Sequence, residues 1–258
     1  MPSIIKQRLA AGQIVRTMHV TGFIKPRALE MLGLVGKFHG VWIDQEHAAI
    51  AHAELESLLI ACRASGLDAF ARVAPTDYPT VMRPMEAGCS GVMIAQVRSM
   101  EEVERAIEWA KYPPVGRRGF FGGNIETGFG NIEMATHVAN ANRERWLAIQ
   151  IETPEAVEIA DQIAAKKEVD WLFVGPADLS VTLGVPGEFL HPRCVAALQR
   201  VAAATKKAGK AWGILSRDPE HAIKCRELGC QLFSVFGDID CLCAGLTSLE
   251  ERFAALMD

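Results

Sequence analysis

The stretch Phe173-Val174-Gly175-Pro176-Ala177-Asp178-Leu179-Ser180 sets the reading of the whole chain. A short apolar run, Val169 to Val174, stops at a Gly-Pro pair, and an acid follows two residues after the proline. A run of that length reads as a buried strand, and Gly-Pro ends it sharply. Asp178 therefore falls just past a strand end, where a carboxylate and backbone amides face one ligand. Upstream, Leu147-Ala148-Ile149-Gln150-Ile151-Glu152 repeats the arrangement, with Thr153 to cap the next helix and Pro154 to fit its first turn. Either acid alone is accounted for by helix-start electrostatics. Two carboxylates at the same end of two successive strands form a candidate hard-metal site.

Working outward, apolar β-like runs alternate with segments of helical period along the chain. The strand candidates are Ile14–Val20, Val41–Asp44, Ala69–Val73, Gly91–Ala95, Leu147–Ile151, Trp171–Val174, Ala211–Leu215 and Leu232–Phe236. Helices are expected near 26–35, 52–65, 77–87, 99–110, 154–167, 191–208, 218–228 and 239–257. Strands each followed by a helix predict an α/β fold, a closed parallel TIM (β/α)8 barrel, as one domain over residues 1–258. Half of the 258 residues are hydrophobic, enough for one large core. The alternative is an open doubly wound sheet, which advertises a Gly-rich dinucleotide turn after its first strand; neither that turn nor a Walker-type loop is present. One connection, from Ala110 to Trp146, runs through Tyr-Pro-Pro-Val-Gly-Arg-Arg-Gly-Phe-Phe-Gly-Gly-Asn and then a polar stretch with helical character. Loops of this length tend to be functional, and this one reads as part of an active-site wall.

The formal charge is −4 with the two signs interspersed, so nothing marks a nucleic-acid or anionic-membrane partner. The N-terminal Met-Pro-Ser-Ile-Ile-Lys-Gln-Arg lacks a long apolar region, so no secretory signal is visible. No apolar run reaches the length of a membrane span. Seven scattered cysteines, without a Cys-x-x-Cys pair, read as reduced and mostly buried thiols of a cytoplasmic protein.

In a barrel of this kind the chemistry sits at the C-terminal ends of the strands. Reading those ends in order gives Asp44-Gln45-Glu46-His47, Arg72, Gln96, Gln150 with Glu152, Ala177 with Asp178, and Ser216. Taken singly, each has a plain structural account. His47 reads as a hydrogen-bonded loop residue, Arg72 as an ion-pair partner of Glu86 or Asp44, and Glu46 as structural. Histidines 19, 39, 52, 137, 191 and 221 show no ligand spacing and read as structural or surface groups. The convergence of a base, a guanidinium and two carboxylates on one barrel face is what points to catalysis.

These same residues carry a resemblance. Ile-Asp-Gln-Glu-His (43–47), Ala-Arg-Val (71–73), Tyr-Pro-Pro-Val-Gly-Arg-Arg-Gly (112–119), Gln-Ile-Glu-Thr (150–153) and Val-Gly-Pro-Ala-Asp-Leu-Ser (174–180) resemble the HpcH/HpaI aldolase family over nearly the whole chain. The resemblance implies a class II pyruvate aldolase that splits 4-hydroxy-2-oxo acids into pyruvate and an aldehyde with a divalent cation, Mg2+, Mn2+ or Co2+. It implies metal ligation by Glu152 and Asp178, and α-keto acid binding by Gln150 and the backbone of Ala177 and Asp178. His47 would be the general base, Arg72 the enolate-stabilising group and substrate contact, and Glu86 the support of the histidine, at a position where some relatives carry Asp. Members assemble as homohexamers, dimers of trimers, with the last helix exchanged between subunits. In this chain the tail Leu242–Met257 places Leu242, Leu246, Leu249, Phe253 and Leu256 in one apolar stripe, which in a monomer would simply close the ring on the first strand. Phe120-Phe121 and the first loop, Thr21-Gly22-Phe23-Ile24-Lys25-Pro26, depart from the family pattern and are expected to shape the aldehyde side of the pocket.

The chemistry suits the residue types. Loss of a methyl proton from pyruvate creates an enolate, which a Lewis acid and a fixed guanidinium stabilise while an imidazole moves the proton. A Schiff-base aldolase would need a lysine at the barrel mouth; no predicted strand core carries one, and Lys25 is the nearest candidate. Oxaloacetate decarboxylation shares the enolate and stays open as an alternative, as does a non-catalytic barrel acting as a binding or assembly module.

Overall fold

A computed structural model describes residues 2–256; Met1, Met257 and Asp258, and with them the last residue of the expected tail helix, lie outside the described residues. The described residues form strands β1 (Val15–Val20), β2 (Gly40–Asp44), β3 (Asp68–Val73), β4 (Gly91–Ile94), β5 (Trp146–Ile151), β6 (Trp171–Val174), β7 (Ala211–Leu215) and β8 (Leu232–Gly237). Their helices are α1 (Ile4–Ala10), α2 (Pro26–Val35), α3 (His52–Ala64), α4 (Tyr78–Ala87), α5 (Met100–Ala110), α6 (Met134–Glu144), α7 (Pro154–Glu158), α8 (Ala160–Ala165), α9 (Pro176–Thr182), α10 (Pro192–Ala208), α11 (Pro219–Glu227) and α12 (Asp238–Arg252). The strands pair in chain order into a closed parallel barrel, as the alternation predicts.

Parallel strands covered on both sides read as continuous apolar runs, and β2 to β6 are buried at every position. Alternate side chains then part company. Val41, Ile43, Leu147, Ile149, Leu172 and Val174 face the helices, while Trp42, Phe70, Trp146, Trp171 and Phe173 fill the lumen. The inward series ends, at the C-terminal rim, in Asp44 on β2, Arg72 on β3 and Gln150 on β5.

Helix α1, which the sequence reading did not foresee, plugs the opposite end. Ser3 caps it by accepting from the amide of Lys6 at 3.1 Å and donates its own hydroxyl to Asp68 at 2.5 Å, while Ile5 packs fully buried against the lumen residues. The helix expected over 154–167 is two short pieces, α7 and α8, meeting at Ile159 (φ −97°, ψ 9°). The Gly-Pro turn of the opening stretch turns out to begin helix α9, with Gly175 as N-cap and Pro176 pre-set in the first turn. The long connection is organised by a buried ion pair, Arg118 Nη2 to Glu126 at 2.5 Å, which Arg145 joins at 3.1 Å.

The tail meets the monomer expectation only at its start. Asp238, at the start of α12, accepts from the amides of Thr21, Phe23 and Ile24 and so pins the first βα loop. Beyond it α12 leaves Leu242, Leu246, Leu249 and Phe253 about half exposed instead of closing them onto β1.

The lumen packing allows a direct test. Gly91 on β4 lies in register with Trp146 on β5, and a methyl group there would run into the indole. Gly91→Ala should lower unfolding free energy by about 1–3 kcal/mol, as overpacking a filled interior does. Urea denaturation followed by tryptophan fluorescence reads this out, and unchanged stability would contradict the packing described.

Candidate active site

The rim residues form two walls. On the first, Asp44 ends β2 and Arg72 lies beside it on β3, the two being register partners. Arg72 donates from Nε to Oδ1 of Asp44 at 3.1 Å and from Nη2 to Oδ2 at 2.5 Å, with its guanidinium 4.7 Å above the Trp42 ring. Of the two ion-pair partners expected for Arg72, Asp44 is the one it meets. Oδ1 of Asp44 also accepts from the amides of Glu46 and His47, at 3.0 and 3.3 Å, folding the β2–α3 loop over the rim. Burial works against the Asp44 charge, but the hydrogen bonds from His19 and Arg72 and the guanidinium charge outweigh it and hold the carboxyl well below the usual range.

The second wall is the end of β5. Glu152 is fully buried; its Oε1 accepts from the amide of Gln96 at 2.7 Å and its Oε2 from the Gln150 side chain at 2.5 Å. Gln96 adopts φ 57°, a left-handed conformation that is costly for a residue with a side chain and that aims its N–H at the carboxylate. Gly175 permits the approach of β6, because a Cβ there would lie 2.5 Å from both Gln150 Nε2 and Glu152 Oε2. Burial pushes Glu152 up to about 7; the Gln96 amide and Arg72 oppose this, while Glu46 and Asp178 add to it by like-charge repulsion. Glu46, Asp178 and Glu152 therefore share one field.

The oxygen donors suit a hard cation. Among the described residues Glu152 forms no salt bridge with Lys or Arg, and the buried Gln150 Oε1 and Glu46 Oε2 have no hydrogen-bond partner. Glu46 Oε2 does lie 3.2 Å from Arg72 Nε, but that N–H points at Asp44. No cluster of three or more His, Cys, Asp or Glu forms a ready-made cage among the described residues. One or two carboxylates with solvent and substrate completing the shell is the arrangement Mg2+ favours.

His47 stands in the loop after β2 with its side chain 60% exposed, Nε2 3.8 Å from Glu46 Oε1. The structure does not bring Glu86 to it. Glu86, on α4, lines an outer cleft of about 380 Å³ with His52, Arg83, Phe121 and Phe129, where burial raises its pKa. Phe121 belongs to that cleft, and Phe120 packs on Tyr112 and His137, so neither residue of this chain stands at the rim of its own barrel. Lys25 pairs with Glu54 at 2.9 Å on the surface. The buried Lys111, pushed down to about 8 by burial, binds the carbonyls of Asn142 and Arg145 just before β5, at the end of the barrel away from the rim. Neither lysine offers an imine-forming amine at the mouth.

Three rim residues carry more than the sequence assigns them: Asp44, expected only as one possible partner of Arg72; Glu46, expected as structural; and His19, expected as a structural or surface group. Strand parity was the available signal, since Trp42-x-Asp44 and Phe70-x-Arg72 continue inward series.

The family model described as HpcH/HpaI aldolase/citrate lyase matches residues 27–240, and the chain belongs to that family. It is accordingly a carbon–carbon lyase of the class II pyruvate aldolase type. It is 32% identical over 253 residues to a 5-keto-4-deoxy-D-glucarate aldolase of Salmonella arizonae, covering 98% of this chain and 97% of that one. It is 33% identical over 227 residues to a pyruvate aldolase of Rhizobium etli, covering 88% of each. The crystal structure of an HpcH/HpaI aldolase from Desulfitobacterium hafniense superposes with a TM-score of 0.88 at 30% identity, covering 96% of each chain. A CitE protein of Mycobacterium tuberculosis, solved with magnesium, acetoacetate and coenzyme A, shares the fold at 16% identity with a TM-score of 0.53, covering 88% of this chain and 77% of that one.

Gly175 tests the second wall. Gly175→Ala should displace Gln150 and Glu152 and lower kcat/KM roughly 10²-fold, the usual effect of misplacing catalytic groups by about 1 Å. Its far-UV spectrum should match the parent, because the methyl meets two polar side chains and no backbone. Parental activity in this variant would show that the wall has room to spare.

Proposed function

We propose that this chain catalyses reversible aldol cleavage and condensation of 4-hydroxy-2-oxo acids, yielding pyruvate and an aldehyde through a pyruvate enolate. The observation that carries the reading is the fully buried Glu152, facing Asp178 and Glu46 beside a guanidinium held at the rim. Glu152 and Asp178 would hold Mg2+, Mn2+ or Co2+, which when bound supplies Lewis-acid stabilisation of charge on the keto oxygen.

This chain's own residues do the rest. Gln150 and the amides of Ala177 and Asp178 would hold the α-keto acid, since first-turn amides of α9 have no acceptor inside the helix. Arg72 commits Nε and Nη2 to Asp44, which leaves Nη1 to meet the enolate oxygen. His47 would take a proton from the pyruvate methyl. The enolate carbon then bonds to the aldehyde carbon, and the new alkoxide recovers the proton; cleavage reverses each step. Glu46 Oε1 lies 3.8 Å from His47 Nε2, at ion-pair but not hydrogen-bonding distance, and would take the orienting part that the resemblance gives to Glu86 once the two close to a hydrogen bond.

One (β/α)8 domain over residues 1–258, in a cytoplasmic setting, is part of the same reading. So is a homohexamer with α12 exchanged between subunits. The half-exposed stripe of α12 and the exposed Met31, Leu34 and Val35 of α2 are the apolar surfaces that such an exchange would cover. Light scattering should report an oligomer, and removal of residues 239–258 should dissociate it; a clean monomer of the intact chain at micromolar concentration would contradict the exchange.

The decisive activity test is cleavage of 5-keto-4-deoxy-D-glucarate, followed by condensation of pyruvate with an aldehyde panel including succinic and tartronate semialdehydes, read by product mass. Activity should vanish with EDTA and return with Mn2+ or Mg2+. His47→Ala should slow deuterium exchange into the pyruvate methyl by roughly 10²–10⁴-fold while Mg2+ binding persists. Full activity after metal removal, or parental exchange in His47→Ala, would sink the respective assignment, and turnover of oxaloacetate alone would favour a decarboxylase.

A further inference from the structure

Strand β1 supplies a rim residue to which the proposed reaction assigns no part. Val15 belongs to the lumen cluster while Met18 and Val20 belong to the outer one, so the inward series of β1 is Val15, Thr17 and His19. His19 is the last of these. It is paired in register with Trp42 on one side and Gly237 on the other, with its side chain 17% exposed at the rim. Its ring lies 4.3 Å from that of Trp42, at 32° between planes, and its Nε2 is 3.1 Å from Oδ2 of Asp44.

We propose that His19 is a positioning residue for the aldolase reaction: standing on Trp42 and bonded to Oδ2 of Asp44, it fixes the carboxylate that holds Arg72 and the turn bearing His47. The proposal rests on the function put forward above. Asp44 is ionised, so it only accepts, and the proton of the shared bond therefore sits on Nε2 of His19. Oδ2 receives two donors, Nη2 of Arg72 at 2.5 Å and Nε2 of His19 at 3.1 Å, from opposite neighbours of β2. Trp42 is a common floor, carrying the imidazole and the Arg72 guanidinium at 4.7 Å. Without the imidazole, Oδ2 would keep only Nη2 of Arg72 and would open to water at the rim. The carboxylate, still held by Arg72 and the amides of Glu46 and His47, would then be less sharply fixed, and with it the aim of the guanidinium and of the turn bearing His47.

Two substitutions separate this role from simple space-filling. His19→Phe keeps a ring on Trp42 and removes the donor, whereas His19→Gln keeps a donor and removes the ring. With Mg2+ supplied, His19→Phe should lower kcat roughly 10- to 100-fold, the scale of one lost hydrogen bond to a charged acceptor. KM for the 2-oxo acid should stay within about twofold, because the Gln150 and α9 contacts are untouched. His19→Gln should recover kcat to within about threefold of the parent, since it restores the bond. Parental kcat in His19→Phe, or equal loss in both variants, would overturn the proposal, the second outcome assigning His19 an acid–base part of its own. A readout independent of turnover is the imidazole 15N spectrum of the Mg2+-loaded parent at mildly alkaline pH. An Nε2–H tautomer that disappears in Asp44→Asn supports the bond, and an Nδ1–H tautomer overturns it. A parent enzyme inert toward every 2-oxo acid would count against the function reading, while the tautomer would still decide the His19 bond.

Discussion

The carboxylate of Asp44 is the point on which the rim depends. It gathers Nε and Nη2 of Arg72, the amides of Glu46 and His47, and Nε2 of His19, and so ties together the ends of β1, β2 and β3. A buried carboxylate with fewer donors would take up a proton or draw in water. With these donors it stays charged, and each partner is fixed by a bond that would leave a buried charge uncompensated if broken. The Gln45 amide ties the start of the loop to the Arg72 carbonyl at 3.0 Å, and the turn at Glu46 and His47 is held by Asp44, which makes no hydrogen bond to the imidazole itself.

The opposite wall works by the reverse logic. Glu152 is as deeply buried as Asp44, yet Glu46 and Asp178 stand where a guanidinium would be needed, and its pKa rises to about 7 while that of Asp44 falls. Environments that push two carboxylates apart in this way assign them different work. Asp44 is neutralised within the protein and organises it. Glu152 has no guanidinium bonded to it and sits among like charges, which is the setting the proposed cation and 2-oxo acid would complete. The left-handed Gln96 and the missing side chain at Gly175 are the backbone features that make the arrangement fit.

Most of the barrel was legible in the sequence because its strands are buried on both faces and so appear as unbroken apolar runs, closed by Gly, Pro or an acid. Helix α1 escaped because seven residues carry too little periodicity to be seen; only its capping by Ser3 and docking on Asp68 give it away. Helix α9 was read as a turn because Gly-Pro ends one element and starts another in the same two residues. At the site, Glu152, Gln150, Asp178 and Arg72 stood out as polar groups at strand ends. Asp44 stood among them only as a possible partner of Arg72 and His19 not at all, because strand parity shows that both face inward but not that they pair across β1, β2 and β3, and Glu86 carried a role by resemblance that its place on α4 does not support within one chain.

The hold of Asp44 on the first wall is open to one direct measurement. Asp44→Asn preserves shape but cannot balance Arg72, and half of its amide presents hydrogens where acceptors are needed. Exchange of pyruvate methyl protons for deuterium, followed by NMR with Mg2+ present, should fall at least 10²-fold, the scale on which lost electrostatic preorganisation acts. Calorimetric Mg2+ binding should remain, because the proposed ligands Glu152 and Asp178 make no hydrogen bond to Asp44. Exchange at the parental rate in Asp44→Asn, with Mg2+ bound, would contradict the account.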